Sequence, residues 1–268
     1  MVIELVSSIL TFDGALKLLL GALIGLCLGL TGVGGGVLII PLLQFFFGMG
    51  TVMAVGTASL ISTFVKVNAG LSHIRAGNVE WKTLGFMLLG AIPSTVLITE
   101  LVIYLNNHVY YASLLTQAVE LAIVGIMLLS LFSLYRKRKQ SATVHNEQAA
   151  PRGKHVAMCA GGVCGAVLGS TGVGGGVMLL PAFNSLLGID LKKSIGSSVV
   201  MALALSGITA LNYSRGGQSE LSTAVIMTMG AFVGVPVAIR LVKKFSEQQL
   251  YTLTLMVIMG ALALTLAY

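Results

Sequence analysis

Long apolar runs, separated by short polar or glycine-rich stretches, fill almost the whole chain. In the first half they cover Gly14–Leu30, Val37–Phe47, Val52–Ser72, Thr83–Leu105 and Ala112–Tyr135. In the second they cover Val156–Leu168, Val177–Leu187, Ser194–Tyr213, Ser222–Val242 and Leu250–Ala267. The third to fifth runs of each half approach or pass the ~20 residues that a helix needs to cross hydrocarbon. The second run is short in both halves and follows a cluster of glycines. A short, glycine-interrupted pair at matching places is the sequence form of a discontinuous or re-entrant helix.

The halves are copies. Thr31–Pro41 reads TGVGGGVLIIP, and Thr171–Pro181, 140 residues later, reads TGVGGGVMLLP. At the same offset Gly21, Gly25, Gly29, Gly48, Gly56, Arg75, Gly77, Glu80 and Gly90 recur as Gly161, Gly165, Gly169, Gly188, Gly196, Arg215, Gly217, Glu220 and Gly230. Pro93 and Pro236 do not match at this offset, so the later helices are expected to have diverged. The pattern predicts an all-α polytopic membrane protein of two inverted-topology repeats, each with about five helical segments and one broken or re-entrant glycine-rich helix. The expected division is 1–135 for the first repeat, 136–154 for a basic linker and 155–268 for the second repeat.

Composition narrows the class. The chain is 56% hydrophobic and 9% charged, whereas a typical globular protein has roughly 25% charged residues. The net charge of +7 does not mark a nucleic-acid face. The cations cluster at Arg136–Lys139, at Arg152 and Lys154, and at Arg240, Lys243 and Lys244, where they flank apolar runs as cytoplasmic loops do. With the linker and the Arg240–Lys244 loop inside, His73–Lys82 also falls inside. Asn106–His108, the Arg215/Glu220 loop and both termini then fall outside, so equivalent loops lie on opposite faces. The expected location is the inner membrane, multi-pass, with a cytoplasmic linker. The first residues lack the basic start of a secretory signal, so the N-terminus is read as retained. Cys27, Cys159 and Cys164 have neither metal-ligand nor redox spacing and read as packing residues.

The glycine motif lacks both the preceding strand and the Gly-Lys-Ser/Thr ending of nucleotide-binding turns. Close helix packing accounts for Gly21, Gly25 and Gly29, which share one stripe. Three consecutive glycines are different, because each costs a helix roughly 1 kcal/mol relative to alanine. An unwound segment at membrane depth leaves N–H groups free, and the helix that restarts points its positive end at the gap. Thr31, Gly32, Gly34, Gly35 and Gly36, with Thr171, Gly172, Gly174, Gly175 and Gly176, are therefore the candidate anion-binding backbone.

Lys66 is the candidate cation. It precedes Arg75 by nine residues, which places it roughly 13 Å deeper along a helix. A cation at that depth costs at least ~2.5 kcal/mol on insertion scales and is a functional-site hypothesis by default. Ser59, Ser62, Thr63, Lys66, Gly70 and His73 form one helical stripe, of which Ser62 and Thr63 join the candidate site. The alternatives are that Lys66 snorkels to the interface or pairs with Glu120. In the second half Ser206 stands at the equivalent place on a largely apolar stripe, so the halves would contribute unequally. Glu100 and Glu120 are candidate proton carriers.

The duplicated glycine motif ending in proline, Gly56-Thr57, and His73-x-Arg75-x-Gly77-Asn78-Val79-x-Trp81 together resemble the TauE/SafE sulfite exporter family, also called the 4-toluene sulfonate uptake permeases. The likeness covers nearly the whole chain except the linker and termini. It implies an inner-membrane carrier of sulfur-containing anions such as sulfite, thiosulfate or organosulfonates, and supplies no ligand residues. The second copy departs from the pattern, with Gly216-Gly217-Gln218 for Ala76-Gly77-Asn78 and Leu221 for Trp81.

The expected partners are a small anionic substrate and the lipid bilayer, with a coupling proton or ion and a homo-oligomer left open. No cofactor, metal or nucleic acid is expected. The alternative function is transport of another small anion or metabolite. A metal carrier would need a ligand cluster that the spans lack. An integral-membrane enzyme would need a nucleophile–base pair, and His73, His108, His145 and His155 all fall at loops, span edges or the linker.

Overall fold

The computed structural model describes residues 11–31, 36–140, 153–173, 178–242 and 244–267; for 31, 133–140, 247 and 251 it describes the backbone alone. The described residues are helical, with no strand among them. The first half contains α1 (Phe12–Thr31), α2 (Gly36–Phe47), α3 (Thr51–Arg75), α4 (Trp81–Asn106) and α5 (Val109–Gln140). The second contains α6 (Lys154–Thr171), a π-helical turn at Ala182–Leu186, then α7 (Leu191–Arg215), α8 (Leu221–Val242) and α9 (Glu247–Ala267). Seven of these helices are long and apolar enough to cross a membrane. Leu89, Leu97, Leu121, Leu129, Leu211 and Val233 are each more than half exposed. Such surface is unfavourable in water and expected against lipid.

The helices pair across the halves in a reciprocal way. The most extensive contacts join α1 to α8, α4 to α6 and α3 to α7. The first element of each half thus lies on the fourth of the other, and the two third elements lie on each other. Hydrophobic segregation adds little between helices in lipid, so close backbone approach through small residues must hold the pairs. At Gly21 a Cβ would stand 2.1 Å from the Met227 carbonyl oxygen, and at Gly161 it would stand 2.0 Å from that of Met87. Gly90 against Met158 and Gly230 against Leu18 repeat the match, at 2.0 and 2.1 Å. All of these partners are related by the 140-residue offset.

The spatial register also outlasts the prolines. Gly29 approaches Val235 and Gly169 approaches Thr95, again at that offset. Pro93 lies within α4 and Pro236 within α8, and both helices continue past them. Residue identities diverge there, but the backbone scaffold does not.

The turns repeat in the same way. Gly77 (φ 66°) and Gly217 (φ 69°) take the left-handed conformation just past α3 and α7, where a Cβ would be strained. The amide of Asn78 then donates to the His73 carbonyl at 3.1 Å, and that of Gln218 to the Tyr213 carbonyl at 2.7 Å. Each turn is tied to the opposite half: the Glu220 amide donates to Thr57 Oγ1 at 3.0 Å, and the Glu80 amide to Ser197 Oγ at 2.9 Å.

These ties also show which ends lie together. Lys17 of α1 sits 3.9 Å from the Glu220 carboxylate and over the Phe47 ring at the end of α2. The α1–α2 hairpin therefore enters and leaves at the end of the molecule that holds the start of α3 and the α7–α8 turn. At the other end, Lys154 at the start of α6 lies over Phe86, and Lys193 at the start of α7 pairs with Glu80 at 2.7 Å. Along the α3–α7 contact Gly56 meets Tyr213, Thr63 meets Gly207 and Gly70 meets Leu203, so these equivalent helices run antiparallel. The arrangement is consistent with two inverted repeats.

The backbone of α5 runs on as helix through the basic stretch to Gln140. In the second half a π-turn stands where the first half has the regular helix α2.

Candidate functional site

The candidate site lies where the two hairpins turn. α1 ends at Thr31 and α2 begins at Gly36; the glycine-run residues Gly32, Gly34 and Gly35 lie outside the described residues, as do Gly174, Gly175 and Gly176. In the second half α6 ends at the buried Thr171, and Gly172 follows with φ 62°. The Gly172 amide donates to the Leu168 carbonyl at 2.8 Å, which closes the helix in the left-handed capping geometry that glycine favours. Thr171 Oγ1 donates to the Val167 carbonyl at 2.6 Å.

The two turns meet. A Cβ on Gly36 would stand 2.4 Å from the Gly172 carbonyl oxygen, so the restart of the first hairpin touches the end of α6. On its other side Gly172 abuts α3, where a Cβ would lie 3.2 Å from Ser59 Oγ and 3.3 Å from the Val55 carbonyl. Gly36, Gly172 and Ser59 thus form one junction between three elements of the two halves. Ser59 was legible on the polar stripe of α3, but its contact with the glycine break was not.

From Ser59 the stripe continues along α3. Thr63 Oγ1 donates to the Ser59 carbonyl at 2.7 Å, and Ser59 Oγ to the Val55 carbonyl at 2.8 Å. Lys66 Nζ donates to the hydroxyl of Ser62, itself 2% exposed. Lys66 therefore reaches back one turn toward the junction. This bond runs away from the Arg75 end, and no contact joins Lys66 to Glu120 among the described residues. Glu120 instead accepts from Thr51 Oγ1 at 2.7 Å. Ser206 is buried on α7, beside the Gly207 that Thr63 touches, and donates to the Leu203 carbonyl at 3.2 Å. No hydrogen bond joins it to Lys66 among the described residues. Glu100 is exposed on α4, and among the described residues no hydrogen bond joins it to the stripe or to Lys66.

A second polar group sits between α4, α6 and α7 and was not recognised from the sequence. Thr95 Oγ1 donates to the Gly165 carbonyl at 3.0 Å, and Tyr213 donates to that of Gly169 at 2.9 Å. Asn212 Nδ2 donates to Thr99 Oγ1 at 2.6 Å. Thr209, fully buried one turn before Tyr213, has a hydroxyl without a partner. The matching positions are Val235 and Ile239 in the second half and Ala69, Ser72 and His73 in the first, so this group belongs to one side of the molecule only. Among the described residues no set of three or more His, Cys, Asp or Glu stands close enough to hold a metal.

The comparisons with known proteins agree with a transport architecture. The sequence model of the family described as "Sulfite exporter TauE/SafE" matches residues 17–266. The chain is 27% identical to "Probable membrane transporter protein YjnA" of Bacillus subtilis, over 87% of this chain and 92% of that protein. A "Probable membrane transporter protein" of Xylella fastidiosa is 28% identical over 80% of this chain and 79% of its own length. MJ0441 of Methanocaldococcus jannaschii, under the same description, is 24% identical over 84% of this chain and 79% of its own. No solved structure matches the chain.

Proposed function

The chain belongs to the sulfite exporter TauE/SafE family of membrane transporters, and we propose that it is a secondary carrier of small sulfur-containing anions such as sulfite, thiosulfate or organosulfonates. The single observation that supports this reading is the junction of Gly36, Gly172 and Ser59, with Lys66 turned toward it along α3. Helix α2 restarts there, so its first amides and its positive end face the junction. Lys66, two turns from Ser59 and about 10 Å along the helix, supplies the positive charge that an anion needs at membrane depth. Thr31, Gly32, Gly34 and Gly35 in one half, and Thr171, Gly174, Gly175 and Gly176 in the other, belong to this proposed site through their neighbours. Ser62, Thr63 and Ser206 line its α3–α7 side.

In this reading the protein lies in the inner membrane with 136–154 in the cytoplasm and both termini outside. The α1–α2 hairpin enters from outside and the α6 hairpin from inside. Transport then requires one repeat to move against the other around the shared junction, and export is the proposed direction.

The test is uptake of radiolabelled sulfite, thiosulfate and methanesulfonate by proteoliposomes holding the purified protein. Flux above that of empty vesicles for at least one of them is the expected result. Wild-type flux equal to that of empty vesicles for all three would reject the reading.

A further inference from the structure

We propose that Glu120 is a proton-binding site, and that the proton it takes up moves together with the anion. Only the second clause rests on the function proposed above. Glu120 is the twelfth residue of α5 and lies inside its apolar span. One carboxylate oxygen accepts the 2.7 Å bond from Thr51 Oγ1, and Thr51 in turn accepts from Gln44 Nε2 at 3.1 Å. Gln44 and Thr51 are 2% and 3% exposed, so the chain of bonds runs from the molecular interior to the acid. The other carboxylate oxygen has no partner among the described residues.

Beside the acid is a cavity of about 240 Å³, bounded by Gly50 and Met53 of α3, Asn106 at the end of α4, Thr116 and Gln218. It opens at the end of the molecule that carries the α4–α5 and α7–α8 turns. This volume holds several waters, and the polar walls give them partners. On the opposite flank Glu120 borders a groove of about 330 Å³ between α5 and α9, formed with Leu121, Val124 and Leu266. The acid thus stands between a polar cavity and a mostly apolar groove.

Among the described residues the charges around it leave it without a counter-ion. α2 has no ionisable residue, and α3 has none from Thr51 until Lys66, which is bonded to Ser62. At the end of α4 the ionisable groups are the exposed Glu100 and Tyr104, followed by His108 in the turn. The α7–α8 turn brings Arg215 and Glu220, and Glu220 is already beside Lys17, which also pairs with Asp13 at 2.8 Å. The last turns of α9 before Ala267 present Thr265 and no ionisable group. The C-terminal half of α6 offers only Cys164. A carboxylate in a membrane span with no cation opposite is stable in two ways: hydrogen-bonded and hydrated as the anion, or neutral once protonated. The Thr51 hydroxyl serves both forms, and one acid without other carboxylates is a poor metal site but a sufficient proton site.

The link to the anion is α3 itself. Thr51 is its first residue, and Ser59, Ser62, Thr63 and Lys66 follow on the same helix. The ionised acid holds the start of α3 through a charge-assisted bond that weakens on protonation. Any step in which α3 moves to release an anion therefore changes proton affinity at Glu120, and the reverse holds by linkage.

The experiment uses the full chain in proteoliposomes, as wild type, Glu120→Gln and Glu100→Gln. Infrared pH-difference spectra are expected to show a carboxylic-acid carbonyl stretch that changes with pH. That band should be lost in Glu120→Gln and kept in Glu100→Gln. Thiosulfate, whose charge is constant across neutral pH, is the transport probe, with the membrane potential clamped at zero. A one-unit pH gradient should raise its accumulation by about tenfold at one proton per anion. Glu120→Gln should abolish that dependence, and Glu100→Gln should keep it. No band that depends on Glu120, or a Glu120→Gln protein that still follows the pH gradient, overturns the proposal. A wild type that shows the band but carries no thiosulfate at any pH supports the proton site and counts against the anion reading.

Discussion

In the first half, α3 carries Ser59, Ser62, Thr63 and Lys66 past the point where the hairpins meet; in the second, α7 presents Val199, Ala202, Leu203 and Ser206 at the equivalent places. Past the first glycine run stands the regular helix α2; past the second stands the π-turn Ala182–Leu186. Glu120 and its cavity lie on the first half's α5, and the Thr95–Thr99–Asn212 group lies on the side of α6 and α7. Yet the contacts that bring helices together are shared almost position for position. Packing in this bundle depends on backbone approach, which tolerates no side chain and so keeps its glycines in both copies. Polar side chains face a different constraint: each costs energy in lipid unless partnered, so a second copy persists only where something uses it.

If that division is right, packing changes should act alike in both halves and polar changes should not. The largest effect is expected for Gly21→Leu and Gly161→Leu, whose Cβ atoms would stand 2.1 and 2.0 Å from backbone carbonyl oxygens. Each should destabilise by about 3 kcal/mol or more, read as a matching fall in thermal midpoint in detergent. A clear inequality between them would break the comparison.

Next is transport. Lys66→Ala should lower anion flux roughly tenfold, the effect of losing about 1.4 kcal/mol of binding, while Ser206→Ala should change it little. Equal losses in the two variants would show that the halves contribute alike after all. The hydroxyl ties should follow, and symmetrically. Thr57→Val and Ser197→Ala each strip a partner from the amide of Glu220 or Glu80 and should cost about 1 kcal/mol of stability. Asn212→Ala should cost about as much, whereas Ser72→Ala at the matching site should cost under ~0.5 kcal/mol, because Ser72 is exposed and bonds only its own helix.

The smallest change is expected at the exposed Lys193–Glu80 pair, where both side chains are partly in solvent. Glu80→Gln should shift stability by under ~1 kcal/mol and less at high salt. A large loss there would mean that the pair latches one end of the molecule shut.

Much of this was readable in advance. The duplication, the apolar spans, the end of α6 at its glycine run and the unequal stripe of Lys66 against Ser206 follow from spacing alone, because helical periodicity and hydropathy are local properties. The exchange of partners between halves was not readable, since no periodicity says that Gly21 lies on Met227 rather than within its own repeat. Nor was the direction of Lys66, because snorkelling, pairing with Glu120 and reaching back to Ser62 satisfy the same pattern. The Thr95–Thr99–Asn212 group escaped notice because its members are scattered over two helices and resemble ordinary small residues on each.

The chain by itself determined that it lives in lipid, that it is two copies of one unit, and that a glycine run stands at the same place in each. Those outcomes rest on hydrophobicity, on repetition and on the cost of glycine in a helix, none of which needs a neighbour. Tertiary structure alone decided that Gly36 meets Gly172, that Ser59 closes the junction, and that Glu120 faces a cavity with Thr51 as its donor. Those outcomes depend on which surfaces approach within a few ångströms, and that is settled by packing over residues far apart in the sequence.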